Sequence, residues 1–128
     1  MDGPFVVRAK SRIRPGTAEA YKPLAREICR LVEKREPRVL AFNIWVDEAE
    51  GSEVVLQVHP DAASLEQHLE LLGEKVRSTF EYADFESLEV YGPPSERLRA
   101  IFESESQVHV TFHPVHWGGF TRLQGSAV

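Results

Sequence analysis

Apolar residues recur along this chain with two periods, and the switches between them outline its elements. From Phe5 to Ile13 they alternate, with Phe5, Val7, Ala9 and Ile13 on one side and Arg8, Lys10 and Arg12 on the other, which predicts a half-buried strand. Pro15-Gly16 ends it, and Thr17 stands where a helix would be capped. Tyr21, Leu24, Ala25, Ile28, Leu31 and Val32 then repeat at helical spacing opposite Lys22, Arg26, Arg30 and Lys34, predicting an amphipathic helix. Pro23 either kinks that helix or occupies its first position, and Pro37 stops it. Val39 to Asp47 and Val54 to His59 alternate again and read as a hairpin across a polar turn. Leu40, Phe42, Ile44 and Val46 share one face of its first strand, and Ala41, Asn43 and Trp45 share the other. A register that keeps the apolar faces together pairs Trp45 with Val55, Asn43 with Gln57, and Ala41 with His59.

Helical spacing returns after Pro60, where Asp61 and Ser64 compete as caps and Leu65, Leu69, Leu72, Val76 and Phe80 form the apolar stripe. Gly73 is expected to divide this region into two helical pieces. Phe85 to Tyr91 reads as a fourth strand, with Leu88 and Val90 facing away from Ser87, Glu89 and Tyr91. Ser95 caps a short helix carrying Leu98, Ile101 and Phe102. Val108, Val110 and Phe112 alternate with His109, Thr111 and His113 in a fifth strand, and Pro114 to Val128 shows no period.

The order β-α-β-β-α-β, followed by α-β, predicts an α+β protein built on a ferredoxin-like split βαβ antiparallel sheet, with two helices on one side. Residues 1–94 form that unit, and residues 95–128 form a C-terminal helix-strand extension that packs on it or on a partner subunit. The helices are expected to cover the Leu40/Phe42 face. The opposite face, with Trp45, Val55 and Tyr91, then lacks cover, which points to a homodimer joined sheet to sheet around a lined cavity.

Composition narrows the function more than the fold. The chain has 128 residues, 42% of them hydrophobic, so one domain with a core of its own is expected. The formal net charge of −5, with both signs interleaved, argues against a nucleic-acid partner, which needs a basic patch. No apolar run is long enough to span a membrane, and the first residues lack a secretory leader's pattern, so the expected location is cytoplasmic. The single cysteine, Cys29, excludes an internal disulfide and a cysteine-based zinc site.

Three segments carry a resemblance: Arg14-Pro15-Gly16-Thr17, Glu36-Pro37-Arg38-Val39-Leu40-Ala41-Phe42, and Asp61-Ala62-Ala63-Ser64-Leu65-Glu66-Gln67-His68-Leu69. Over residues 5–91 the chain resembles the antibiotic biosynthesis monooxygenase family of dimeric α/β barrels. Its known members include cofactor-independent oxygenases of quinols and anthrone-like polyphenols, and more distant relatives degrade haem. The resemblance implies a homodimer acting on a small aromatic molecule without a cofactor. It implies His68 as the catalytic histidine of the second helix, with Asn43 and Trp45 placed by their strand. The chain departs from the family pattern at Gln57, where a glutamate is usual, and at His59, where an aromatic is usual; the family's small residue before the second helix is here Ser64.

An oxygenase of this kind needs an apolar hollow, a few polar groups to stabilise a phenolate, and a base for the phenolic proton. The candidates are His68 and Asn43 for catalysis, and Trp45, Gln57, His59 and Tyr91 for substrate binding. The plainer reading makes Asn43, Trp45, Gln57 and His59 a polar dimer interface, and His68 a satisfied core histidine. A non-catalytic binding or stress-response barrel is the alternative function. A haem-binding member, with a histidine as axial ligand, is a third reading without a porphyrin-specific pattern behind it. His109, His113 and His116 are candidate metal ligands, but Pro114 interrupts their spacing and no cysteine or carboxylate accompanies them from Val108 onward, so no metal is expected. Arg8, Lys10 and Arg12 either bind an anion, such as the carboxylates of Glu103 and Glu105, or form a solvated stripe that blocks unwanted strand pairing.

Overall fold

A computed structural model describes residues 3–104 and 109–122. The elements follow the sequence pattern closely: β1 Phe5–Ile13, α1 Ala18–Arg35, β2 Ala41–Asp47, β3 Ser52–His59, α2 Ala62–Arg77, a 3-10 turn Ser78–Glu81, β4 Ala83–Tyr91, α3 Glu96–Glu103 and β5 His109–His113. Val108, expected in the fifth strand, and Glu105 lie outside the described residues. The strands form one sheet in the order β2-β3-β1-β4-β5. The first four neighbours pair antiparallel, as the split βαβ arrangement requires, and β5 adds a parallel edge beside β4. The sheet is therefore mixed, and it is not closed on itself.

Local chemistry accounts for the element ends. Asp61 caps α2, its carboxylate accepting from the backbone N–H of Ser64 at 3.0 Å, and Ser95 caps α3 by accepting from Leu98 N–H at 3.1 Å. Thr17 starts α1 without a side-chain cap; its hydroxyl bonds to the carbonyls of Arg14 and Tyr82 instead. Pro23 lies inside α1 as its sixth residue, so the helix begins well before it. Gly73 does not divide α2, which runs unbroken through it to Arg77. Leu65, His68 and Leu72 are buried along that helix, and this burial outweighs a single glycine's cost of about 1 kcal/mol.

The hairpin corrects the expected register by one residue. Trp45 faces Val54, Asn43 faces Leu56, and Ala41 faces Val58. A four-residue turn sets this: Gly51 N–H donates to Asp47 C=O at 2.8 Å, with Gly51 at φ +69°, and Asp47 pairs with Ser52. A slip of one residue turns every side chain over. Gln57, His59 and Val55 therefore share the helix side with Phe42 and Ile44, while Val54, Leu56 and Val58 share the outer side with Asn43 and Trp45.

Phe5, Val7, Leu65, Leu88, Val90, Leu98 and Phe102 form the main core, between the sheet and the helices α2 and α3. Gly92 permits the close turn out of β4. A Cβ there would stand 2.8 Å from the Phe5 ring, and its N–H bonds to His113 C=O at 2.9 Å. The outer face is uncovered among the described residues. Arg8 and Arg12 are paired on it, with Glu89 at 3.2 Å and Glu86 at 3.5 Å.

Candidate functional site

The register decides where a ligand can go. A cavity of about 150 Å³ lies inside the chain, between the helices and the inner side of the sheet. Its floor is Val7, Ala9, Val55, Ile44 and Leu88, and its roof includes Ala25 and Ile28 of α1 and Leu65, Leu69 and Val76 of α2. This hollow lies on the helix side of the sheet, opposite the face expected to meet a second copy. The one-residue shift of the hairpin carries Gln57 into its wall.

His68 enters the cavity from α2 and is 2% exposed. Its Nδ1 lies 2.9 Å and 3.1 Å from the two carboxylate oxygens of Glu36, the equally buried residue that closes α1. A carboxylate only accepts, so Nδ1 carries the proton and donates to Glu36. Among the described residues Nε2 has no hydrogen-bond partner, and no fully buried side-chain nitrogen or oxygen is left without one. Nε2 is therefore open to the hollow that His68 lines.

Gln57 sits in the floor beside it and is fixed from behind. His59 donates from Nε2 to Gln57 Oε1 at 2.9 Å and accepts at Nδ1 from the Ser64 hydroxyl at 2.7 Å. Burial, and then the neighbouring His68, push the His59 pKa down to about 4, so this ring is neutral near pH 7. With Oε1 engaged, Gln57 presents its amide N–H groups to the cavity. His59 does not line the cavity; it orients the residue that does.

A second buried polar pair lies further along the same wall. Tyr21 of α1 donates to Glu53 Oε2 of β3 at 2.6 Å. Burial raises the pKa of both groups, and the Glu53 carboxylate beside it raises that of Tyr21 further. Both residues also border an open groove of about 450 Å³ between α1 and β2.

The six residues expected at the site therefore separate. His68 and Gln57 line the cavity, and His59 backs it. Asn43 and Trp45 are exposed, the latter at 57%, and Asn43 borders the α1–β2 groove rather than the cavity. Tyr91 is on the outer face, bonded to Glu89 at 2.8 Å and stacked on His113 at 5.1 Å. Sequence reasoning missed Glu36, Tyr21 and Glu53. Glu36 stands at the head of a quoted motif, and its position before Pro37 at a helix end was the available signal. No group of three metal-ligating side chains converges among the described residues.

These features belong to a recognisable architecture. MupZ from Pseudomonas fluorescens superposes over 94% of this chain and 95% of its own, with TM-score 0.77 and 21% identity. A protein described as an antibiotic biosynthesis monooxygenase matches over 62% of this chain and 85% of its own, with TM-score 0.55 and 28% identity. A candidate antibiotic biosynthesis monooxygenase from Bacteroides thetaiotaomicron matches over 69% and 85%, with TM-score 0.58 and 20% identity. The chain has the fold of the antibiotic biosynthesis monooxygenases. No protein-family model matches its sequence, and no curated protein does. The antibiotic biosynthesis monooxygenase-like fold thus rests on shape and on the short segments quoted above. No helix among the described residues is long and apolar enough to cross a membrane.

Proposed function

We propose that this protein is a cofactor-independent monooxygenase of a small aromatic quinol-type substrate, bound in the cavity beneath the helices. The observation that carries this reading is the His68–Glu36 pair, with one imidazole nitrogen tied to a buried carboxylate and the other open to an apolar hollow. A cavity near 150 Å³ with apolar walls takes one benzene-sized ring. A quinol hydroxyl at His68 Nε2 gives up its proton there, and the Gln57 amide donates to the phenolate oxygen that forms. The electron-rich ring then reduces dioxygen. One oxygen atom enters the ring and the other leaves as water, so a quinol and O2 yield a hydroxylated quinone and water.

We read residues 1–94 as the catalytic unit and residues 95–128 as an extension of it. We take the working form to be a cytoplasmic homodimer joined through the outer sheet face, where Trp45 and Tyr91 would meet a second copy. Asn43 and Trp45 then act at the interface.

Oxygen uptake with hydroquinone and substituted quinols tests this reading, in protein freed of metals and without added cofactor. We expect one O2 consumed per quinol, little peroxide, and a loss of about a hundredfold or more in turnover for His68→Ala. A wild type that binds quinols without consuming oxygen is a binding protein. A His68→Ala variant of undiminished rate removes His68 from the chemistry.

A further inference from the structure

We infer that Tyr21 and Glu53 form a second polar anchor, which makes the cavity select aromatic diols carrying a hydroxyl at each end over phenols carrying only one. The inference rests on the reading of the cavity as a quinol site and assigns the opposite end of that site.

The two ends are fixed by one strand. Gln57 and Glu53 lie on the same inner face of β3, four residues apart, with Val55 between them. Strand rise puts their Cα atoms about 13 Å apart. Subtracting a hydrogen bond of about 2.8 Å at each end leaves roughly 7 Å between the ligand oxygens. One ring falls short of that span, and two fused rings come closer to it. The cavity continues where its wall is shared with the α1–β2 groove, and Tyr21 and Glu53 stand at that junction. A second ring has room to extend there.

Chemistry decides which ligand group the far end takes. Tyr21 donates to Glu53 Oε2 at 2.6 Å. Glu53 is buried at 2% exposure, its Oε1 has no partner among the described residues, and no fully buried side-chain oxygen is left unpartnered. Glu53 borders both the cavity and the α1–β2 groove, so Oε1 faces the space where the two meet, as an acceptor. At the near end His68 Nε2 is also an acceptor. Two acceptors separated by apolar wall call for a ligand with a donor at each end, which a diol has and a simple phenol lacks. A quinone product has no donor at either position. It meets Glu53 with an oxygen against a carboxylate, so the same pair that holds the diol favours release of the quinone.

The test is calorimetric titration of the full chain without oxygen, so that binding is read apart from turnover, using 2,6-dihydroxynaphthalene and 2-naphthol as probes. We expect the diol to bind the wild type at least about tenfold more tightly than the monophenol. Glu53→Gln should lose about tenfold for the diol and leave 2-naphthol unchanged. Tyr21→Phe, which keeps the ring that stacks on Tyr82 at 5.7 Å, should shift the diol in the same direction by less. It serves as the reading if Glu53→Gln fails to fold. Equal wild-type affinity for the two probes, or equal losses for both in either variant, overturns the second anchor and leaves the His68 reading standing. No binding of either probe overturns the second anchor, and hydroquinone titrated alongside reads the His68 site by itself: its binding leaves that reading standing, and its failure overturns that reading too.

Discussion

His59 and His68 are both buried, yet their partners give them different chemistry. His59 is fully buried and bonded on both nitrogens, and its pKa is pushed down to about 4. A neutral ring in the fold that would titrate near 6.5 in the unfolded chain makes the unfolded state bind more protons between those values. Stability is therefore complete above about pH 6.5 and falls as pH drops toward 4, by roughly 3 kcal/mol in all. Denaturant titrations at pH 7 and pH 4.5 check this, and His59→Gln should flatten the difference. His68 instead has a carboxylate on one nitrogen. Replacing Glu36 by Gln removes the charge that orients the imidazole, and we expect a fall in kcat of about tenfold with KM little changed. Steady-state oxygen uptake separates the two parameters. Of these residues, His68 was legible from the sequence because it sits on the apolar stripe of α2 within a quoted motif. Glu36 and Glu53 were not, because a carboxylate in a charged sequence gives no sign of burial until the chain segments around it are placed.

At the level of elements, nearly all of the secondary structure was legible, since each strand and helix carries its own period. The hairpin register was not. Both β2 and β3 have apolar residues on both faces, so hydrophobic matching alone allowed two registers, and the turn at Gly51 chose between them. Gln57 and His59, two of the six residues expected at the site, moved to the other side of the sheet as a result. The start of α2 is held more firmly than its sequence suggested. Asp61 caps the helix and also accepts from Arg38 at 2.6 and 2.7 Å, tying α2 to the loop before β2. Asp61→Ala should cost about 1 kcal/mol, the usual worth of a cap, with little from the exposed ion pair. Urea denaturation reads that loss directly.

At the scale of the whole molecule, the outer sheet face and the C-terminal segment remain to be explained together. Trp117 is 97% exposed, and Val115 and Phe120 are nearly as free, while the outer face carries Trp45, Val54 and Leu56. A second copy would cover surface of this kind. We expect a sedimentation mass of twice 14.5 kDa for the wild type and a shift toward 14.5 kDa for Trp45→Lys. The more central matter is which side of the sheet receives the aromatic ligand, because every proton transfer argued above depends on it. Methyl-resolved NMR with hydroquinone, in the absence of oxygen, answers that most directly. Our account expects shifts at Ile28, Ile44, Val55 and Leu69, the methyls that line the cavity beside His68. Shifts confined to Val6, Val54 and Leu56 on the outer face would contradict it.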